Sequence, residues 1–154
     1  MKSFALWIAV LVPGCLVEPT IRGTTVLDTP VNNQIIGVIE QYRHALEARD
    51  PAKLLAMASP QYLEDGGTVK GDDDYGYDGL KQVLETRLGT VRSLRFMIEY
   101  RAVHVVGNQA TVEIRYDASY QMATAMGDRW EHKADDKRIK LELDGSRWLF
   151  VGGM

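Results

Sequence analysis

The chain has 154 residues and a formal net charge of −3 at pH 7, enough for one domain with a real core. Its mildly acidic body, without basic stripes, argues against nucleic acid as a partner. A single cysteine, Cys15, excludes an internal disulfide.

The elements begin with an export signal. Lys2 precedes an apolar run from Phe4 to Val12, and Gly14 puts a small residue before Cys15. That is a charged start, a short hydrophobic region and a cleavage point. The run falls short of the roughly 20 apolar residues a membrane-spanning helix needs. Val12-Pro13-Gly14-Cys15 resembles the lipobox at which bacterial lipoproteins are cut and acylated. The resemblance implies a signal peptide over residues 1–14, lipidation at Cys15, and a chain held by its lipid to the cell envelope. Leu16 carries no acidic inner-membrane retention signal, which implies the outer membrane, facing the periplasm. Loss of Lys2 takes the formal charge from −3 to −4, and no polybasic patch is present to bind anionic headgroups, so the lipid would be the anchor. Residues 15–28 lack periodicity and contain Pro19 and Gly23, which predicts a tether.

Thr29-Pro30 joins a capping hydroxyl to a proline at the first helical position. Ile35, Ile39, Tyr42 and Leu46 follow at helical spacing, with Val38 and Ala45 widening the stripe, so a helix is predicted to end near Arg49. Asp50-Pro51 repeats the device and opens a second helix carrying Leu54, Leu55 and Met57, which Pro60 ends. A short extended piece, residues 61–65, runs into a polar glycine-rich loop. A third helix, capped by Asp78, carries Leu80, Val83, Leu84 and Leu88 up to Gly89.

From there the pattern has period two. Leu94, Phe96, Ile98, Tyr100 and Ala102 share one face, and a longer strand alternates from Ala110 to Met122. Gly107-Asn108, Gly127-Asp128 and Asp144-Gly145 are turn signals. In the third strand Trp130, His132 and Ala134 fall on even numbers and Ile139, Leu141 and Leu143 on odd ones. One extra residue within 135–138, a β-bulge, would reconcile them. A two-residue turn at 144–145 would then pair Trp148 with Leu141 and Phe150 with Ile139, both as core. Helices followed by a strand meander predict an α+β domain. Long antiparallel strands must twist, so the sheet is expected to curl over the first helix as a cone with a pocket. Tyr42, Tyr116, Tyr120, Trp130 and Trp148 are its expected lining. Met97, Val103, Val105, Ala123, Ala125, Leu149 and Val151 would leave the outer face partly apolar, as for a second copy or an envelope partner.

The histidines do not predict a metal. Three-residue loops would set His104 across from Val112 and His132 across from Thr124, roughly 40 Å apart at about 3.4 Å per residue. His44 lies off the apolar stripe of its helix. Asp72-Asp73-Asp74 with Asp78 invites calcium, but Gly76 falls at the fifth loop position instead of the sixth and Val83 replaces the twelfth-position glutamate. A solvated acidic loop is expected, with no metal and no cofactor.

Residues 39–50, Ile-Glu-Gln-Tyr-Arg-His-Ala-Leu-Glu-Ala-Arg-Asp, then Leu54-Leu55 and Tyr62-Leu63-Glu64-Asp65, and the closing Asp144-Gly145-Ser146-Arg147-Trp148-Leu149-Phe150 resemble nuclear transport factor 2-like domains. The resemblance covers about residues 29–154 and implies the cone fold. That fold carries isomerases, dehydratases, transport adaptors and binding modules, so it implies no one activity. The ketosteroid isomerase branch places a tyrosine on the first helix as oxyanion donor, an aspartate base after the second helix and another acid on the sheet. Tyr42 and Asp65 match the first two positions, and Asp136 is the candidate for the third. Such a set could move a proton next to a carbonyl. The favoured expectation is a non-catalytic binding or interaction domain, taking a small apolar ligand in the cone or a partner on the sheet. The alternatives are a small isomerase or dehydratase using Asp65 and Tyr42, and a structural subunit of an envelope assembly.

Overall fold

Both helix starts lie where their caps put them. The computed structural model describes residues 18–65 and 74–154; the signal segment, Cys15 and most of the acidic loop lie outside the described residues. Helix α1, Pro30–Glu47, has the Thr29 hydroxyl accepting from Asn32 N at 3.2 Å. Helix α2, Pro51–Ala56, has the Asp50 carboxylate accepting from Lys53 N at 2.9 Å. It ends before Pro60 because residues 57–59 join the sheet: Ser59 N donates to Phe150 O at 2.8 Å and Phe150 N to Met57 O at 2.9 Å. Strands β1, Leu63–Glu64, and β2, Tyr75–Gly76, form a small antiparallel ribbon. Helix α3 spans Tyr77–Gly89 and is preceded by Gly76, which makes no side-chain cap. Asp78 is therefore not the cap; it lies in the first turn, where its charge suits the helix dipole.

Strands β3, Val91–Val106, β4, Gln109–Thr124, β5, Gly127–Asp144, and β6, Arg147–Gly152, make one antiparallel sheet in that order. The domain is α+β, with α1 packed against β3 and β6 inside the curve of the sheet. Ile35 and Ile39 of α1, Leu54 of α2 and Leu80 of α3 meet Val112, Ile114, Ile139, Leu141 and Phe150 in one core.

The hairpin turns are all two residues long, at 107–108, 125–126 and 145–146, and their lengths and positions shift the expected pairings. His104 faces Thr111, His132 faces Ser119, Trp148 faces Leu143, and Phe150 faces Leu141. The β4–β5 register runs unbroken from Gln109↔Glu142 to Thr124↔Gly127, so residues 135–138 contain no bulge against β4. Since Ala110 faces Leu141 and Val112 faces Ile139, the concave side of β5 carries odd positions throughout. Lys137, Asp135, Lys133 and Glu131 share that side, while Trp130, His132, Ala134 and Asp136 belong to the convex side.

The bulge that matters lies in β3. Arg101 is the extra residue between the pairs Tyr100↔Ile114 and Ala102↔Glu113. It turns Val103 and Val105 toward the concave side, opposite Val112 and Ala110, and so removes them from the outer face. Leu149 is buried as well, and Val151 is the extra residue where β6 shifts against β5. Of the expected outer apolar set, Met97 and Ala123 stay exposed on the convex side, with Ala125 in a turn.

The expected tether is also corrected. Ile21 N donates to Val26 O at 2.8 Å, Val26 is buried in the core, and Thr25 Oγ1 donates to Arg101 O at 2.8 Å. A bulge leaves a carbonyl outside the strand ladder, and Thr25 satisfies it. Packing therefore begins well before Thr29.

Two carboxylates of α1 fasten it to β3. Phe96 N donates to Glu47 Oε1 at 2.9 Å and Tyr100 Oη to Glu40 Oε1 at 2.7 Å, while Arg43 bonds both acids at 2.7 and 2.9 Å. Partial burial works to raise the Glu40 pKa, but the bonds from Tyr100 and Arg43 outweigh it and hold the carboxyl below its usual range.

Candidate functional site

The mouth of the cone opens on a cavity of about 350 Å³ between the helices and the sheet. α1 contributes Tyr42, α3 contributes Leu80 and Leu84, β3 contributes Leu94 and Phe96, and β4 contributes Tyr116, Ala118 and Tyr120. Each arrives by periodicity: Tyr42 is on the buried stripe of α1, and the β4 residues are its even, inward positions. The aromatic wall is tightly coupled. Tyr42 lies 5.1 Å from Phe150 and 6.3 Å from Phe96 between ring centres, and Phe96 stacks on Tyr116 at 5.2 Å.

Tyr42 is 4% exposed. Burial, reinforced by the nearby Glu64 charge, pushes its pKa far above the ordinary tyrosine value. It is a neutral phenol at any physiological pH and a ready hydrogen-bond donor to a guest.

The other expected site residues lie elsewhere. Asp65 is exposed and does not line the cavity. Asp136 is on the convex side, 3.2 Å from Arg101 and 3.7 Å from Arg115. Trp130 is 62% exposed on that same side, because the unbroken register gives even β5 positions to the convex face. Trp148 is buried in the core, with Nε1 unpartnered among the described residues. Tyr116 and Tyr120 do line the cavity, and Tyr120 Oη donates to Glu131 at 3.1 Å. No aspartate or glutamate occurs among the described lining residues. His132 is bonded to Asp117 at 2.9 Å, and no group of metal-ligating side chains forms among the described residues.

The chain matches no protein-family model and no curated protein. Its fold matches many solved structures. A conserved protein from Planctomyces limnophilus superposes with a TM-score of 0.68 at 11% identity, over 80% of this chain and 92% of that one. A candidate scytalone dehydratase from Novosphingobium aromaticivorans gives 0.67 at 16% identity, over 80% of each chain. A candidate dehydratase from the nuclear transport factor 2-like family of Streptomyces avermitilis gives 0.67 at 11% identity, over 79% and 92%. The chain has the nuclear transport factor 2-like fold. At such identities the likeness is one of fold alone.

Several residues of this nuclear transport factor 2-like cone lie outside the expected lining, Lys137 among them. Lys137 continues the odd phase of Ile139 and Leu141, faces Ile114 across the sheet, and reaches the cavity. The signal was present, since the odd phase extended backwards puts a lysine inside; the assumed bulge hid it. Lys137 Nζ donates to the main-chain oxygen of Met154 at 2.6 Å. Met154 N donates to Tyr62 Oη at 3.0 Å, and Tyr62 Oη donates in turn to Glu64 Oε2, which also accepts from Gly153 N at 2.9 Å. Gly153, at φ +80°, is the residue that lets the chain cross here, because a Cβ would sit 2.3 Å from Arg138 O.

Burial lowers the Lys137 pKa, with the Glu64 charge opposing it in part. Between that lowered value and the ordinary lysine value of about 10.4, the unfolded chain binds more proton than the folded one. Lys137 thus contributes a rise of stability with pH across that window. Lys137→Met is expected to flatten the rise, as read from urea midpoints at a series of alkaline pH values. An identical slope in parent and variant would refute this.

Proposed function

We propose that the domain binds a small, largely apolar molecule in its cone and carries out no chemistry on it. The carrying observation is the cavity: about 350 Å³, walled mainly by aliphatic and aromatic side chains, with Tyr42 as a neutral donor, Lys137 and Arg87 as its cations and no carboxylate among its described lining residues. Pockets of this size and polarity suit small ligands. Proton abstraction next to a carbonyl needs a base within hydrogen-bond reach of the substrate, and Asp65 and Asp136 are both exposed away from the cavity. The uncharged fluorescent probe N-phenyl-1-naphthylamine should bind the purified protein saturably and lose its site when Ala118→Trp fills the cavity. Equal binding to parent and variant would mean that the cone is not the site.

We also infer that the domain works from the cell envelope, held by a lipid on Cys15; the lipobox-like Val12-Pro13-Gly14-Cys15 supports this. Cys15→Ala is expected to release most of the protein from membranes. If the variant still pellets as completely as the parent after a high-salt wash, something else holds it there. A partner on the convex sheet face is the weaker reading, since Leu149 is buried and Val103 and Val105 turn to the concave side, Val105 remaining exposed there.

A further inference from the structure

The hairpin turns of the sheet differ in chemistry. Those at 107–108 and 145–146 are Gly-Asn and Gly-Ser, the glycine-plus-polar pairs that tight turns ordinarily carry. The turn at 125–126 is Ala-Met, and Met126 is 94% exposed. Its geometry is fixed: Met126 N donates to Thr124 Oγ1 at 3.3 Å, and Thr124 Oγ1 donates in turn to Gly127 O at 2.5 Å. The methionine is thus held away from the core. Further along the same hairpin, Trp130 is 62% exposed.

This turn projects from the end of the cone where exposed residues, Arg87 and Thr90, line the cavity. Only the pairs Ala123↔Asp128 and Thr124↔Gly127 separate it from Met122, which is on the cavity wall and faces Val91. Arginines distant in sequence gather at the same end. Arg49 donates to Val91 O at 2.8 Å, Arg87 lies in the last turn of α3, Arg92 follows Val91, and Arg129 faces Met122. Arg92 pairs with Asp128 at 3.0 Å and Arg129 with Glu131. Arg49 and Arg87 form no ion pair among the described residues, and Glu85, two residues from Arg87 on α3, faces another side of the helix. A bare methionine, a half-covered indole and surrounding arginines suit one partner together. In an anionic bilayer the methionine enters the acyl boundary, the indole lies at headgroup level and the arginines meet phosphates.

We propose that the 125–126 turn docks the domain on an anionic lipid surface, with Met126 inserted and the mouth of the cone turned toward the lipid. Thr25 ties the start of the fold to Arg101, at the other end of β3. Cys15 lies six residues before Ile21, at most roughly 20 Å of extended chain. A lipid there and the turn therefore meet one bilayer when the strands tilt toward it.

The test adds the full chain to vesicles of phosphatidylcholine and phosphatidylglycerol, with and without bromine on the acyl chains, where bromine quenches any tryptophan that reaches it. The Trp130 signal is the difference between the parent and Trp130→Phe, so tryptophans elsewhere in the chain cancel. That signal should shift to the blue on plain vesicles and be quenched on brominated ones. Met126→Asp should abolish the quenching and Met126→Leu should keep it; a side chain this exposed leaves the core intact in both. Leaving out phosphatidylglycerol should also weaken the quenching. Equal Trp130 emission on plain and brominated vesicles overturns the proposal, as does quenching that Met126→Asp or the loss of phosphatidylglycerol leaves unchanged. A blue shift that grows with protein concentration in the absence of vesicles makes the turn a contact between copies, and overturns it too. None of these outcomes touches the binding reading, whose own probe reports the cavity.

Discussion

Replacing Phe150 with alanine is expected to cost about 3–5 kcal/mol, the range for deleting a large buried aromatic. The ring is fully buried, leans on Tyr42 at 5.1 Å and faces Leu141, itself fully buried. Its own N–H donates to Met57 O at 2.9 Å and its C=O accepts from Ser59 N at 2.8 Å, while neighbouring residues of β6 pair with β5. A backbone so fixed cannot collapse into the void, so the cavity term adds fully to the lost transfer energy. Against a typical total of about 5–15 kcal/mol, that is roughly a fifth or more of the fold's stability. The urea midpoint should fall with the m-value unchanged. A loss below about 1 kcal/mol would show that the core relaxes around the gap.

The second large effect is on binding. Ala118 lies on the cavity wall between Tyr116 and Tyr120 and faces Phe96 on β3. An indole at this position extends into empty space, so it avoids the overpacking that larger side chains suffer in a filled core. Ala118→Trp should lower the affinity for N-phenyl-1-naphthylamine at least about 100-fold, or about 2.7 kcal/mol. Its urea midpoint should hold or rise, because the new ring buries apolar area. A folded variant that keeps parental affinity would move the binding site out of the cone.

The helices could be read from the chain because their signals are local. Thr29-Pro30 and Asp50-Pro51 fix starts by hydrogen bonds within three residues, and the stripe from Ile35 to Leu46 needs no knowledge of partners. Register is different, since it depends on turn length. Taking Gly107-Asn108 and Gly127-Asp128 as parts of three-residue loops moved His104 and His132 to the wrong neighbours. The phase change along β5 was real, but its meaning was inverted. Trp130 was expected inside because it is apolar, whereas the inner positions of that stretch are Glu131, Lys133, Asp135 and Lys137. The bulge had left its own mark elsewhere, where Tyr100 on an even position gives way to Val103 and Val105 on odd ones. Tyr42, Tyr116 and Tyr120 reached the cavity because their elements keep strict periods. Asp65 did not, since a residue just past a two-residue strand has no period to fix its direction.

One consequence of the sheet order concerns solubility. β6 pairs only with residues 140–144 of β5, so from Gly127 to Ile139 the far edge of β5 meets no described strand. A free edge this long offers main-chain donors and acceptors to the edge of any other chain and is a template for cross-chain aggregation. Here that edge carries Arg129, Glu131, Lys133, Asp135, Asp136, Lys137 and Arg138. A second strand docking alongside would have to bring its side chains against this run of charges and strip them of water. The polarity that obscured the register of β5 is thus the feature that keeps neighbouring copies from zipping together along it.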